Sequence, residues 1–431
     1  MKIALIGLAL SALLQPTGAD LKSHDVTFTT SDGETLGGRI FEPASATGKL
    51  PAMLLVHGSG KGNSWQELQV EAEAFARQGI AVLAPDKRSG GYSSTKRDFS
   101  QLADDALKAF AVLRQQPEVD PAKTGIWGIS EGGWVAPIIA SRSSDVKFMV
   151  TVGGPGYGAL RTQAWNMANK LNRAEVKGSV VGALDRQFFR LVGDAGLFPE
   201  AYRDPSATLS QVKQPVLALW GKEDNQVMAA ESAQVFKRSL TGSLTVKFFP
   251  SGHSLGTEGV LVKGYPEAVG SWVRDVTSGD VPASSAEPLP VQETASRDLP
   301  RSAWWESWQV QIGLMLAMTL AFAGYLVTGR GKVRSWPARI LAVCGLLAVP
   351  GFLVSMVRMN GATDGSGIHL GPLLAGRPID WIVLQVLAFV TLISGVVLAT
   401  RWRSTTVRQR VLLGASVPFV AWALYWGLLI P

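Results

Sequence analysis

Of 431 residues, 47% are hydrophobic and 17% charged, with one cysteine and a formal net charge of +7. So apolar a composition excludes a disordered chain; one cysteine excludes an intrachain disulfide, and four histidines without close spacing give no zinc signature. The basic excess sits in residues 301–431, which hold 11 of the 41 Lys and Arg but 3 of the 34 Asp and Glu, so residues 1–300 offer no basic surplus for nucleic acid.

In chain order, Met1-Lys2, an apolar run over 3–14 and small residues at Thr17 and Ala19 form the pattern of a secretory signal peptide, residues 1–19, cut after Ala19. The run is too short to span a bilayer. From 20 to 276 short apolar runs at 52–56, 80–84, 124–129, 148–152, 216–220 and 244–249 read as strands, with helical patterns such as 65–78 and 102–115 between them. That alternation predicts a parallel sheet covered on both faces. Residues 26–41, with Asp32-Gly33 inside, read as an edge hairpin. A mostly helical insert at about 155–212 interrupts the alternation and is long enough to cap a site. Residues 277–303, rich in Pro, Ser, Ala and Glu, read as a flexible linker.

The segment 304–431 changes character. Four uncharged stretches, about 307–329, 340–357, 381–400 and 411–430, each come near the roughly 20 residues a helix needs to cross hydrocarbon. Eight of the 14 tryptophans (Trp304, Trp305, Trp308, Trp336, Trp381, Trp402, Trp422 and Trp426) lie here, mostly near the ends of those stretches. Arg330, Lys332, Arg334 and Arg339 follow the first stretch, and Arg401, Arg403, Arg408 and Arg410 the third. Basic loops face the cytoplasm. Four spans in the cytoplasmic membrane then place the domain 20–276 and the C-terminus outside, as the signal peptide also demands.

The chemistry is carried by Gly128-Ile129-Ser130-Glu131-Gly132, a G-x-S-x-G motif between a predicted strand and a helical pattern. A serine on so tight a turn needs small neighbours, and the turn holds its hydroxyl exposed as a nucleophile. The hydroxyl needs a base, and the base an orienting acid, in the chain order Ser, acid, His. His253, in a loop just past the last predicted strand, is the base. Asp224, at the end of the strand 216–220, is the acid, with Glu223 the neighbouring alternative. Oxyanion donors are expected at the backbone N–H groups of Glu131 and of Ser59 in His57-Gly58-Ser59-Gly60, with Gly58 second to Ser59. His57 itself reads as a structural histidine at a strand end.

Together these segments, with Asp86-Lys87-Arg88-Ser89-Gly90-Gly91-Tyr92-Ser93 and Gly221 to Asp224, resemble the α/β-hydrolase superfamily. The likeness is to its bacterial esterase, dienelactone-hydrolase-like and prolyl-oligopeptidase-like catalytic domains, over residues 26–276. It implies an α/β fold with an eight-stranded, mostly parallel sheet and a helical cap, here followed by an all-α four-span bundle that the resemblance does not reach. In the run 86–93, Lys87 and Ser89 alter the usual D-x-R-G-x-G-x-S pattern, and the run is expected to be a structural turn. The function expected is a membrane-anchored serine hydrolase cleaving an ester, thioester or amide through an acyl-enzyme, with no cofactor and no metal. Trp165, Met167, Phe188, Phe189, Leu191 and Phe198 give the insert an apolar face that suits a hydrophobic acyl substrate or packs the cap on its core. An acyltransferase, a serine peptidase or a non-catalytic subunit of a membrane complex would show the same elbow. The bilayer is the one macromolecular partner the sequence names.

Overall fold

The computed structural model describes residues 20–59, 63–93, 95–257, 259–328, 335–363 and 367–430. The expected signal peptide, Gly60, Arg330, Lys332 and Arg334 lie outside them.

The apolar runs become strands because Val, Leu, Ile and Phe stack well on a pleated, buried surface. They are β1 (Leu21–Thr29), β2 (Thr35–Pro43), β3 (Leu50–Val56), β4 (Ala81–Pro85), β5 (Val119–Ile129), β6 (Met149–Val152), β7 (Val216–Gly221) and β8 (Leu244–Phe249), in the order β1-β2-β4-β3-β5-β6-β7-β8. β1 and β2 form the antiparallel edge hairpin, and β2 meets β4 antiparallel. From β4 onward the described neighbours run parallel. This is the sheet that the resemblance implies, with Ser285–Ala286 added as a short ninth strand beside β8.

Successive side chains alternate between two cores. Ile126 faces α2 (Phe99–Arg114), α3 (Gly132–Arg142) and α8 (Ala229–Ser239), in a core with Phe110, Ile139 and Phe236. Trp127 faces α1 (Gln69–Ala76) and α9 (Tyr265–Ser278), in a core with Phe75, Tyr265 and Trp272. Register does the rest. Val56 pairs with Gly128, Ile129 with Val152, Val152 with Leu219, and Gly221 with Phe249. The loops that leave the carboxyl edge of this sheet therefore start side by side, where open α/β sheets bind their ligands.

The insert between β6 and β7 holds α4 (Ala159–Arg173), α5 (Ser179–Gly182), a π-helical turn (Ala183–Gln187), α6 (Phe188–Asp194) and α7 (Pro205–Leu209). Ala159 and Leu209 join the sheet core of Ile126 and Phe236, but most of its buried apolar residues do not. Leu160, Met167, Leu171, Val180, Leu184 and Phe189 share one core with Met315, Phe322, Trp381, Trp426 and Leu428 of the C-terminal helices. Polar contacts fasten the same junction. Ser179 Oγ lies 2.7 Å from Gly427 O and 2.8 Å from Ile430 O, the Lys177 N–H donates to Gly376 O at 2.8 Å, and Arg190 bridges Glu306 at 2.5 Å.

Those helices are α10 (Trp308–Val327), α11 (Trp336–Gly361), α12 (Ile379–Thr400) and α13 (Val407–Tyr425), an up-and-down bundle in which α13 returns to α10. Three of them, α10, α11 and α12, are long and apolar enough to cross a membrane. The fourth is a correction to the four expected spans. Arg408 and Arg410 stand in its first turn, and at Gly427 the chain turns in a left-handed conformation (φ +77°). About 15 uncharged residues remain, roughly 22 Å of helix against about 30 Å of hydrocarbon. The bundle nonetheless turns Leu316, Leu320, Val354, Val386, Ile393 and Val417 outward, each more than half exposed. The cap docks at the end holding Glu306, Gly376 and Gly427. Arg408 marks the other, donating to the Tyr325 carbonyl near the end of α10.

Residues 279–303, flexible by composition, run bonded along the domain. The Glu287 N–H reaches Val246 O at 3.2 Å, Gln292 Nε2 and the Ser296 N–H reach Glu231 Oε1 at 2.6 and 2.8 Å, and Trp165 Nε1 donates to Thr294 O at 2.8 Å.

Candidate active site

Ser130 leaves β5 with φ +55°, a strained conformation for a residue with a side chain. The turn admits no bulk. A Cβ on Gly128 would lie 2.3 Å from Gly132 O, and one on Gly132 would lie 2.4 Å from Val56 O. The Ser130 N–H donates to Val152 O at 2.9 Å, and its carbonyl accepts from the Gly133 N–H at 2.8 Å as α3 begins. The elbow is thereby clamped to β6 on one side and to its own helix on the other.

His253 and Asp224 meet across the ends of β8 and β7. His253 Nδ1 lies 2.8 Å from Asp224 Oδ2, and the Asp224 side chain is fully buried. Its other oxygen accepts two backbone N–H bonds, from Gln226 and Val227, at 2.9 Å each. A carboxylate so held cannot rotate, and it fixes the tautomer that leaves Nε2 free. Burial opposes a charge on the ring, but the neighbouring Asp224 charge and hydrogen bond outweigh it and hold His253 above its ordinary value. Nε2 is buried with no hydrogen-bond partner among the described residues. The imidazole packs on Gly153, where a Cβ would lie 2.7 Å from His253 Cε1. Gly153 directly follows Val152, the acceptor of the Ser130 N–H, so both side chains flank one strand end. Glu223, the alternative acid, has no hydrogen bond to His253.

The two expected oxyanion donors also converge here. A Cβ on Gly58 would lie 3.3 Å from Ser130 Cβ, which places the loop after β3 against the elbow. Neither the Ser59 N–H nor the Glu131 N–H donates to a group among the described residues. His57 is spoken for: its Nε2 lies 2.7 Å from Pro85 O, and burial pushes its pKa down to about 4, so it stays neutral and structural.

Sequence reasoning missed a polar group beneath these donors. Lys87 is buried, and its Nζ donates to Gly58 O at 2.7 Å and Tyr92 Oη at 3.0 Å, with Glu131 Oε1 at 3.5 Å. Tyr92 Oη donates to Glu131 Oε1 at 2.7 Å, and Arg97 donates to Glu131 Oε2 at 2.9 Å. The signal was present in the departing run 86–93: a lysine two residues past an apolar strand is either exposed or paired. Its neighbours are structural. Arg88 bridges Asp32 and Asp105, and Asp86 accepts from the Gly37 and Trp65 N–H groups.

A cavity of about 360 Å³ adjoins the elbow, lined by Gly58, Leu68, Glu71, Ile129, Ser254 and Leu261 among others. Burial raises the Glu71 carboxyl. The cap aromatics are not part of it; Met167 and Phe189 pack against the bundle. A second cavity, about 410 Å³, lies between cap and linker and is lined by Trp165, Asn172, Asp185, Arg186 and Arg297 among others. Burial pushes Asp185 up to about 6, with Arg186 and Arg297 opposing. Among the described residues, His24, Glu42 and Glu118 bring one ligand atom each within 4.8 Å on the β1–β2 edge, where Lys22 already pairs with Glu42 at 3.1 Å. That is an ion-pair cluster remote from the elbow.

The prolyl oligopeptidase family matches residues 66–267, which include the elbow, Asp224 and His253. Over 134 residues the chain is 37% identical to polyketide transferase claH of Penicillium crustosum and 34% identical to thiohydrolase aneE of Aspergillus aculeatus. Each alignment covers 30% of this chain, and 43% and 40% of the respective relative, so the chain spans under half of either. Among solved structures, an esterase of Pyrococcus furiosus aligns with 59% of this chain and 92% of its own, at 19% identity and a TM-score of 0.42.

Proposed function

We propose that this α/β-hydrolase domain, of serine hydrolase type by its sheet order, its elbow and its family match, cleaves ester or thioester bonds from a membrane-anchored position. Ser130 Oγ attacks the carbonyl carbon as His253 Nε2 takes its proton. The oxyanion that forms accepts hydrogen bonds from the Ser59 and Glu131 N–H groups. The imidazolium, steadied by Asp224, returns the proton to the leaving alcohol or thiol, and water then frees the acyl-enzyme by the same steps. The observation that carries this reading is the Asp224–His253 pair, with Nε2 unpartnered and set beside the strand end that holds Ser130 at φ +55°.

The apolar outer face of α10, α11 and α12 supports membrane anchoring. Arginines at the end away from the cap, with the signal-peptide pattern of residues 1–19, support an extracytoplasmic domain in the cytoplasmic membrane. Ser179 holds residues 427 and 430 at the cap end, so α13, though shorter than the other three helices' spans, runs back toward the domain's side. A substrate with a hydrophobic acyl chain suits an enzyme at the bilayer surface.

The test is a fluorophosphonate probe on membranes carrying wild type or Ser130→Ala, followed by nitrophenyl esters and acyl thioesters of graded chain length. Labelling and turnover are expected in wild type alone; folded wild type that takes no label defeats the reading. Acyl transfer is the second reading, favoured by the relative named a transferase. Product partitioning when alcohols or amines are added separates the two.

A further inference from the structure

We propose that Lys87 is a positioning residue of the oxyanion site, clamping the loop of Ser59 to the elbow of Glu131 through one ammonium. This rests on the serine hydrolase reading above.

An oxyanion hole works only if its donors are aimed before charge develops. Here the two donors come from separate segments: Ser59 follows β3, and Glu131 opens α3. No hydrogen bond among the described residues joins the two backbones directly. The link is Lys87. Its ammonium grips Gly58 O, the carbonyl of the peptide whose nitrogen is the Ser59 N–H, at 2.7 Å. Drawing that oxygen down orients the N–H on the opposite side of the same planar peptide. The same ammonium faces the Glu131 carboxylate, which Tyr92 and Arg97 also hold and which is 1% exposed. The Glu131 side chain is thus anchored below the elbow while its own N–H stays free above it.

The charge arrangement explains why a lysine is needed. A buried carboxylate without cations would be costly, and Arg97 alone reaches only Oε2. A neutral residue at 87 would leave Gly58 O without its donor and Glu131 Oε1 with Tyr92 alone and no facing cation. Around the ammonium stand Glu131 at the start of α3, Tyr92 and Arg97 before α2, Glu67 before α1 and His57 at the end of β3. Burial holds the lysine below its ordinary value against the pull of Glu131, so the clamp opens at a lower pH than for an exposed lysine.

The experiment uses the full chain in detergent micelles, with Ser130→Ala as the control that reports the underlying reading. Lys87→Met is expected to lower kcat about 10- to 100-fold with KM held within about twofold, less than the roughly 100- to 1,000-fold of deleting a donor outright. Fluorophosphonate labelling slows in step. A merely structural lysine would lower the melting temperature without this split. Wild-type kcat falls on the alkaline side as Lys87 loses its proton, and Lys87→Arg, which keeps its charge, extends the plateau upward. Lys87→Met with wild-type kcat overturns the proposal. Where Lys87→Met fails to fold, an unchanged alkaline limb in Lys87→Arg overturns it equally. Wild type that takes no label overturns the serine hydrolase reading first, and this inference with it.

Discussion

The sheet domain and most of the cap are adjacent in sequence yet belong to different cores. Ile126 and Trp127, neighbours on β5, look into two cores closed by the domain's own helices. Leu171, Val180 and Leu184 of the cap, all fully buried, find their partners 130 to 250 positions later in the C-terminal helices. Burying such side chains contributes about 1.5–3 kcal/mol each, so the bundle holds one side of the cap while Leu209 of α7 holds the other to the sheet. The chemistry follows the opposite rule. Ser130, Asp224 and His253 hang from β5, β7 and β8, whose register is independent of the bundle. The sheet holds the proposed reactive groups, and the bundle holds much of the cap.

The largest effects test the sheet side. Ser130→Ala should lower kcat by about 10⁶-fold, and Asp224→Asn by about 10⁴-fold, each measured on a nitrophenyl ester. If the two regions are separable, hydrogen exchange across α10, α11 and α12 stays at its wild-type rate. A loosened bundle in either variant would break the comparison.

The pH profile sharpens it. The base must be unprotonated, so kcat/KM rises with pH through the His253 pKa of the free enzyme. Because Asp224 holds that value above its ordinary position, the midpoint should fall above about 6.5. In Asp224→Asn the charge is lost and burial remains, so the midpoint drops. A midpoint that stays put in Asp224→Asn would remove Asp224 from the pair.

On the cap side, Gly427 has φ +77°, and a Cβ there would lie 2.5 Å from Ser179 Cβ. Gly427→Val should cost about 1–3 kcal/mol locally and speed amide exchange over α4 and α6 while leaving β5 protected. Equal acceleration in β5 would show that the cap is not a separate unit.

The smallest effect concerns Asp185. Its folded pKa is raised to about 6, so the native state binds the proton more tightly than the unfolded chain. Stability is therefore greatest at low pH and is lost as pH rises from the unfolded value through about 6. Asp185→Asn should raise the melting temperature by about 2–4 °C at pH 7.5, and the gain should vanish by pH 4. A gain that persists at pH 4 would point to packing instead of charge.

The strands, the elbow and the Ser, Asp, His order were legible because each is local: five- or six-residue apolar runs, a pentapeptide, and a loop histidine after a strand. The cap's partner was not legible. Met167 and Phe189 present an apolar face, but nothing in residues 155–212 says whether it meets a substrate, the sheet or the bundle. Lys87 was legible only as a departure in a structural turn, because only the fold brings Gly58 O and Glu131 to it. The fourth helix fell short because an uncharged stretch is not the same as a helix: the glycine at 427 ends it after Tyr425.

The Ser179 hydroxyl lies against the carbonyl oxygen of Ile430, 251 positions away. That one contact imposes an order on biosynthesis. Domains settle as they emerge, N-terminal part first, so the sheet with Ser130, Asp224 and His253 can close while residues 427–430 are still being made. The cap face of Leu171, Val180 and Leu184 stays uncovered until they arrive and the bundle has formed. The junction between cap and C-terminal helices thus forms last, after the sheet that carries Ser130.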